Sequence, residues 1–272
     1  MAAPCTYTNP LESLTDFFVE VSKAFSLFPT HPFVLEGPGA DEWVKLLNEV
    51  LDFQLPRVEV ILPSVELISP QRDGDEIMRF LEGAIRTAYK SEDKIGPGSH
   101  IKILKLIMSL KHESTLEHVG FTFRIIGSRG FTHELVRARI ASYTQESTRY
   151  VGYDKHLPQA ILPWHLLSYN DPNMCLSWHE AMEIEFGLYL KHMKQFGWKA
   201  QEARGFLPND CKTEIVMTMN IRELRLWLGL RTDPAAHPDM QVIAREILRQ
   251  LMTVCPLLFQ DIQDKVDKQV AA

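Results

Sequence analysis

The run from Val119 to Ile126, VGFTFRII, restricts what this chain can fold into more than any other stretch. Phe121, Phe123 and Ile125 alternate with Thr122, Arg124 and Ile126, the two-residue period of a strand whose faces differ. A short connection containing Gly127 and Gly130 follows, and then residues with helical spacing. With Thr132 as cap and a helix starting near His133, Glu134, Arg137 and Ala141 share one face, while Leu135, Arg139 and Ser142 share another. A strand, a tight connection and a polar helix in succession point to an α+β chain.

The same alternation of element types continues on both sides. Arg57 to Leu62 reads as a strand closed by Pro63, and Asp75 to Tyr89 as a helix with Ile77, Phe80, Leu81 and Ile85 on its buried side. Gly96 to Ser99 breaks the chain before a helix from His100 to Leu110, for which Ser99 is a suitable cap. A long amphipathic helix is expected from Asn173 to Phe196, ended by Gly197, and a short one from Trp198 to Phe206, ended by Pro208. Thr213 to Met219 is β-like, and Asn220 caps a helix ending at Gly229. Met240 to Val254 is the last expected helix. At the N-terminus, apolar stripes through Leu11, Phe18 and Phe25 and through Trp43, Leu47 and Leu51 predict a helical extension over 1–56, beside a single domain over 57–272.

Composition narrows the class. Of the 272 residues, 45% are hydrophobic and 24% charged, which suits a globular protein with a proper core. A net charge of −6 argues against a dedicated nucleic-acid binder. Four cysteines stand at scattered positions without zinc-site spacing, so they read as reduced thiols of a cytoplasmic protein. His112 and His118 do not form a helical metal-binding pair, and no metal site is expected. No stretch approaches the ~20 apolar residues that span a bilayer.

The chemistry concentrates between Lys111 and Tyr150. Arg129, Arg137, Arg139 and Arg149 stand close to Glu134, Gln145, Glu146, Ser142, Ser147 and Thr148. Guanidinium forks among hydroxyls and amides suit a phosphorylated ligand with a polar ring. Taken alone, the same residues also describe an ordinary surface helix with solvated arginines.

The string Arg137-Ala138-Arg139, seven residues, then Ser147 resembles the RHR-x7-S signature of the flavin-dependent thymidylate synthases, the ThyX family. AIRTAYKSED (84–93), HESTLEH (112–118), THELVRARIASYTQESTRY (132–150), ARGFLP (203–208) and NIRELRLWLGLR (220–231) follow that family in order, so the resemblance covers about residues 57–262. It implies a twisted, mainly antiparallel sheet with packed helices and a homotetramer whose sites are shared between subunits. It also implies FAD as cofactor, NADPH and methylenetetrahydrofolate as co-substrates, and dUMP as the substrate converted to dTMP.

Residue by residue, the implied flavin contacts are Ser114, Arg137, Arg139, Gln145, Asn220 and Arg222, with His112 beside the flavin ring. The implied dUMP contacts are Glu134, Arg137, Gln145, Glu146, Ser147, Thr148, Arg149 and Arg204, and Arg231 matches the arginine that activates the uracil. Departures fall mainly on the flavin set: Ala138 replaces the motif histidine, Ala88 a Cys or Ser, and Leu226 a polar residue. They leave two alternatives open, a diverged pyrimidine-nucleotide enzyme that leaves, for example, a hydroxymethyl group, and a non-catalytic nucleotide-binding homologue.

Overall fold

The computed structural model describes residues 58–70, 73–153, 155–169 and 171–271. The expected N-terminal extension and the boundary drawn at residues 56 and 57 lie outside them. In chain order, β1 (Glu59–Ile61) and β2 (Ser64–Ser69) precede the helices α1 (Gly74–Tyr89) and α2 (Ser99–Ser109), and then come β3 (Gly120–Ser128), α3 (Arg129–Leu135), β4 (Ala141–Gln145) and β5 (Gln159–Ile161). Next are α4 (Trp164–Tyr169), α5 (Pro172–Phe196), α6 (Ala200–Ala203) and β6 (Lys212–Asn220), and the chain closes through α7 (Ile221–Arg231), α8 (Pro238–Val254) and α9 (Pro256–Ala271).

The alternating run forms the strand it predicts. β3 pairs along its whole length with β6, from Gly120 opposite Asn220 to Ser128 opposite Lys212, in an antiparallel sheet of order β2-β3-β6-β4. Phe121, Phe123 and Ile125 are fully buried on the same face as Ile215, Met217 and Met219, and this face packs on residues of α1, α2, α7, α8 and α9. The other face is polar: the Thr122 and Thr218 hydroxyls are 3.0 Å apart, and Arg124 lies 3.2 Å from Glu214 and 3.6 Å from Glu66. Thr122 and Thr218, and Arg124 and Glu66, are directly opposite, and Glu214 is the diagonal neighbour of Arg124, so these pairs support the register that the apolar face also demands.

Several expectations are corrected. Ser128, not Thr132, caps α3, its hydroxyl oxygen accepting from Phe131 N–H at 3.0 Å. Thr132 is buried and donates to the Arg129 carbonyl instead. The helix stops at Leu135, and Ala141–Gln145 is a strand because the free edge of β6 offers it partners from Met219 to Ile215. Phe80 points outward at 50% exposure, and Gly98 rather than Ser99 takes the cap position of α2, at φ 71°. The span from Trp198 to Phe206 holds only α6 and a 3-10 turn at Arg204–Phe206. The helix expected to end at Gly229 runs on to Arg231, and β2 and α9 were not foreseen.

The two strand-to-helix junctions place the chemistry. α3 starts where β3 ends and α7 where β6 ends, and because the strands are antiparallel these junctions lie at opposite ends of the sheet. At ~1.5 Å per residue α7 runs back about 15 Å, so that its last residue meets α3.

Candidate active site

Where α7 ends, Arg231 donates through Nη1 to Glu134 Oε1 on α3 at 2.5 Å, and both side chains are partly buried. The Arg231 Nε is buried without a hydrogen-bond partner. The pair brings together two predicted site residues that are 97 positions apart.

At the start of α7, Asn220 performs the capping role, its Oδ1 accepting from Glu223 N–H at 2.8 Å. Arg222 donates to Glu117 at 2.5 Å, which ties α7 to the 3-10 turn Glu113–His118. Asn220, Arg222 and Leu226 line a groove of ≈ 600 Å³ with Glu113, Glu117 and Ile140, the residue after Arg139. Arg225 closes its floor, bound bidentately to Asp261 at 2.8 and 2.7 Å and to Glu113. Ser114 lies on that 3-10 segment and His112 immediately precedes it, both are exposed, and the Tyr89 hydroxyl is 3.4 Å from His112 Nδ1. A larger hollow of ≈ 930 Å³ along α5 contains none of the predicted residues.

The far end of β4 carries the third group. Gln145 donates through Nε2 to the buried hydroxyls of Thr132 (2.8 Å) and Thr213 (3.2 Å), which turns its amide inward. Glu146 is held by Lys212 Nζ at 3.1 Å and by the Tyr153 hydroxyl at 3.3 Å, while Arg129 donates to its backbone carbonyl. Burial pushes the Tyr153 phenol far above its ordinary range, so it stays a donor. Ser147 then opens a turn, its carbonyl accepting from Tyr150 and Val151 N–H, with Thr148 buried and Arg149 exposed.

Between these groups the turn Val136–Ile140 leaves Arg137 and Arg139 exposed and Ala138 half-buried against the core. Arg204 is exposed in its 3-10 turn. Among the described residues, seven other arginines pair with carboxylates, whereas no ion pair involves Arg137, Arg139, Arg149 or Arg204. No side-chain hydrogen bond or ion pair joins these four to Arg231 or Glu134 within one chain. The partners Glu117, Arg225 and Lys212 were missed because each bond spans a sequence distance that local spacing does not reveal, and Tyr153 because its bond to Glu146 closes an irregular loop that has no periodicity to read.

An antiparallel sheet flanked by helices defines an α+β protein, and among the described residues guanidinium groups outside any ion pair stand in the turn after α3, the turn after β4 and the 3-10 turn after α6, a chemistry suited to anionic groups. Residues 67–257 match the family model described as "Thymidylate synthase complementing protein". The flavin-dependent thymidylate synthase of Geobacter sulfurreducens is 37% identical over 185 residues, which cover 65% of this chain and 78% of that relative. The one from Clostridium tetani is 38% identical over 187 residues, covering 62% of this chain and 71% of the relative. Two solved structures share the fold. One is Thymidylate Synthase X from Helicobacter pylori with FAD and dUMP (TM-score 0.60, 24% identity, 74% of this chain and 99% of that one). The other is the UMP/dUMP methylase PolB from Streptomyces cacaoi with 5-Br dUMP (TM-score 0.63, 21% identity, 75% and 96%). The chain belongs to the family of flavin-dependent thymidylate synthases.

Proposed function

We propose that this chain makes dTMP by moving a one-carbon unit from methylenetetrahydrofolate to C5 of dUMP, with FAD as cofactor and NADPH as reductant. The observation that carries this reading is the selective pairing of arginines: in a chain of net charge −6, only the guanidiniums of Arg137, Arg139, Arg149 and Arg204, among the described residues, combine exposure with the lack of an ion pair. Unpaired guanidiniums supply the bidentate donors that a pyrophosphate and a nucleotide phosphate require. The donor set therefore fits FAD and dUMP together.

Arg137 and Arg139 would hold phosphate groups, with Asn220 and Arg222 toward the cofactor and His112 and Ser114 beside them. When bound, the flavin supplies hydride chemistry that no side chain can. Ser147, Thr148, Arg149 and Arg204 hold dUMP with Arg137, above the Glu146 carboxylate that Lys212 neutralises. Arg231 acts on the uracil. Its orientation is set by Glu134 through Nη1, and the fixed cation stabilises negative charge developing on the ring, which raises the nucleophilicity of C5. Glu134 and Gln145 support the site through these internal bonds.

A homotetramer with shared sites and a cytoplasmic location complete the reading. Supporting the first, Leu226 (58%), Leu230 (59%) and Ile140 (65%) are exposed beside the groove. Supporting the second, Cys175, Cys211 and Cys255 are free and buried, and among the described residues no helix is long and apolar enough to cross a membrane.

The test is anaerobic turnover of purified protein with FAD, NADPH, methylenetetrahydrofolate and C5-tritiated dUMP. We expect dTMP by mass and tritium release that falls at least ~10²-fold in Arg231→Ala. A hydroxymethyl product, or bound dUMP without turnover, would overturn the assignment. Undiminished release in the variant would overturn the role of Arg231.

A further inference from the structure

The turn that carries Arg137 and Arg139 has no side-chain anchor of its own. It follows α3, whose last residues lack a glycine in the left-handed conformation that commonly closes a helix; Val136 at the cap position has φ −69° and ψ −1°. The final carbonyls of a helix have no intrahelical partner and need another donor. Here that donor comes from β4: the Tyr143 hydroxyl lies 3.0 Å from the Leu135 carbonyl and 2.9 Å from the Ala138 carbonyl, and it donates between them. Three backbone bonds close the remainder, from Val136, Arg137 and Ala138 N–H to the carbonyls of Thr132, Glu134 and Leu135, each at 3.1 Å.

Tyr143 is itself fixed. Its backbone pairs with Met217 in the β6 register, and its ring packs against the core beside Ala138 and Ala141. Leucine or phenylalanine would fill that apolar position as well, so packing does not explain the hydroxyl. Burial, with Glu223 as a second cause, pushes the phenol up to about 12, so it remains a donor across the working pH range.

We propose that Tyr143 is a positioning residue for the phosphate-binding arginines, its hydroxyl capping the end of α3 and thereby fixing the turn from which Arg137 and Arg139 project. The inference rests on the functional reading above. Because neither guanidinium has a partner among the described residues, where the groups sit is decided by this backbone. Loosening the turn lets both arginines wander, and ordering them again on ligand binding costs affinity. The Ala138 side chain, a methyl packed against the core, adds no hydrogen bond to the turn.

Tyr143→Phe removes the hydroxyl and keeps the ring. Hydrogen exchange of the Val136–Ala138 amides and equilibrium binding of dUMP to the FAD-loaded full chain are measured in wild type and variant. Loss of one net hydrogen bond predicts exchange about fivefold faster at these amides and dUMP binding about fivefold weaker. Exchange along β3 and β6 and the thermal midpoint should stay close to wild type, as a general loss of stability would not allow. Unchanged exchange at 136–138 would overturn the clamp. Faster exchange with unchanged dUMP affinity would overturn its positioning role. A wild-type chain that binds no dUMP would overturn that role and the functional reading together, whereas the clamp would still stand or fall on exchange.

Discussion

Glu146 is a carboxylate at the base of a loop that is proposed to receive a phosphate, a placement that would repel the ligand if the charge were bare. Lys212 and Tyr153 remove the problem by engaging one oxygen each. Lys212→Met should therefore do two things. The half-buried carboxylate loses its charged partner, costing about 1–3 kcal/mol in denaturant unfolding, and the exposed negative charge weakens dUMP binding about tenfold. Glu146→Gln added to Lys212→Met should recover most of the binding, which a double-mutant cycle reads directly. Additive losses would show that the two side chains act separately. At this scale the identities of Arg137, Ser147 and Arg149 were legible because they stand in one local motif. The surrounding bonds were not, since Lys212 reaches Glu146 only through the pairing of β4 and β6, and Tyr143 reaches the Leu135 and Ala138 carbonyls only because the chain turns back as a strand rather than continuing as a helix.

Elements show the same division. The helix expected around Arg137 and Ala141 rested on three- and four-residue spacing, which residues 132–142 satisfy by coincidence. β4 became a strand because five residues of the β6 edge pair with it, a long-range gain that overrides local propensity. β3, by contrast, was legible from its own alternation because both of its faces are specialised. The opposite edge of the sheet, β2, is closed by a side chain. Gln250 on α8 accepts from Leu67 N–H at 2.9 Å and donates to the Val65 carbonyl at 2.8 Å, so one amide stands in for a neighbouring strand. Gln250→Leu keeps the size and loses both bonds, with a third from Nε2 to Glu246 Oε1 at 2.7 Å, leaving two backbone groups unpaired on a sheet edge. We expect about 1–3 kcal/mol lower stability in urea and faster amide exchange at Leu67. Equal stability would mean that water replaces the amide without loss.

The whole molecule raises the question of how separated parts make one site. Arg222 and Arg231 lie at opposite ends of α7, nine residues or about 14 Å apart along its axis. Apolar Ile140 and Leu226 remain exposed on the groove and Leu230 one turn further along α7. These features fit a site completed by other copies of the chain, which apolar contact between subunits would bring together. The prediction is complementation between two inactive variants. Arg137→Ala and Arg231→Ala are each expected to lose turnover alone. If the two arginines of one site come from different subunits, subunits exchanged at a one-to-one ratio regain a site wherever the first arginine comes from one variant and the second from the other. Random assortment gives about one quarter of the wild-type rate, rising to that value as exchange proceeds. If both arginines of a site belong to one chain, every mixed site still lacks one of them, and activity stays at the level of the separate variants however long exchange continues. Native mass spectrometry of the same mixture, with one variant uniformly isotope-labelled, shows whether exchange took place, so a null rate with mixed assemblies present would place both arginines in one chain.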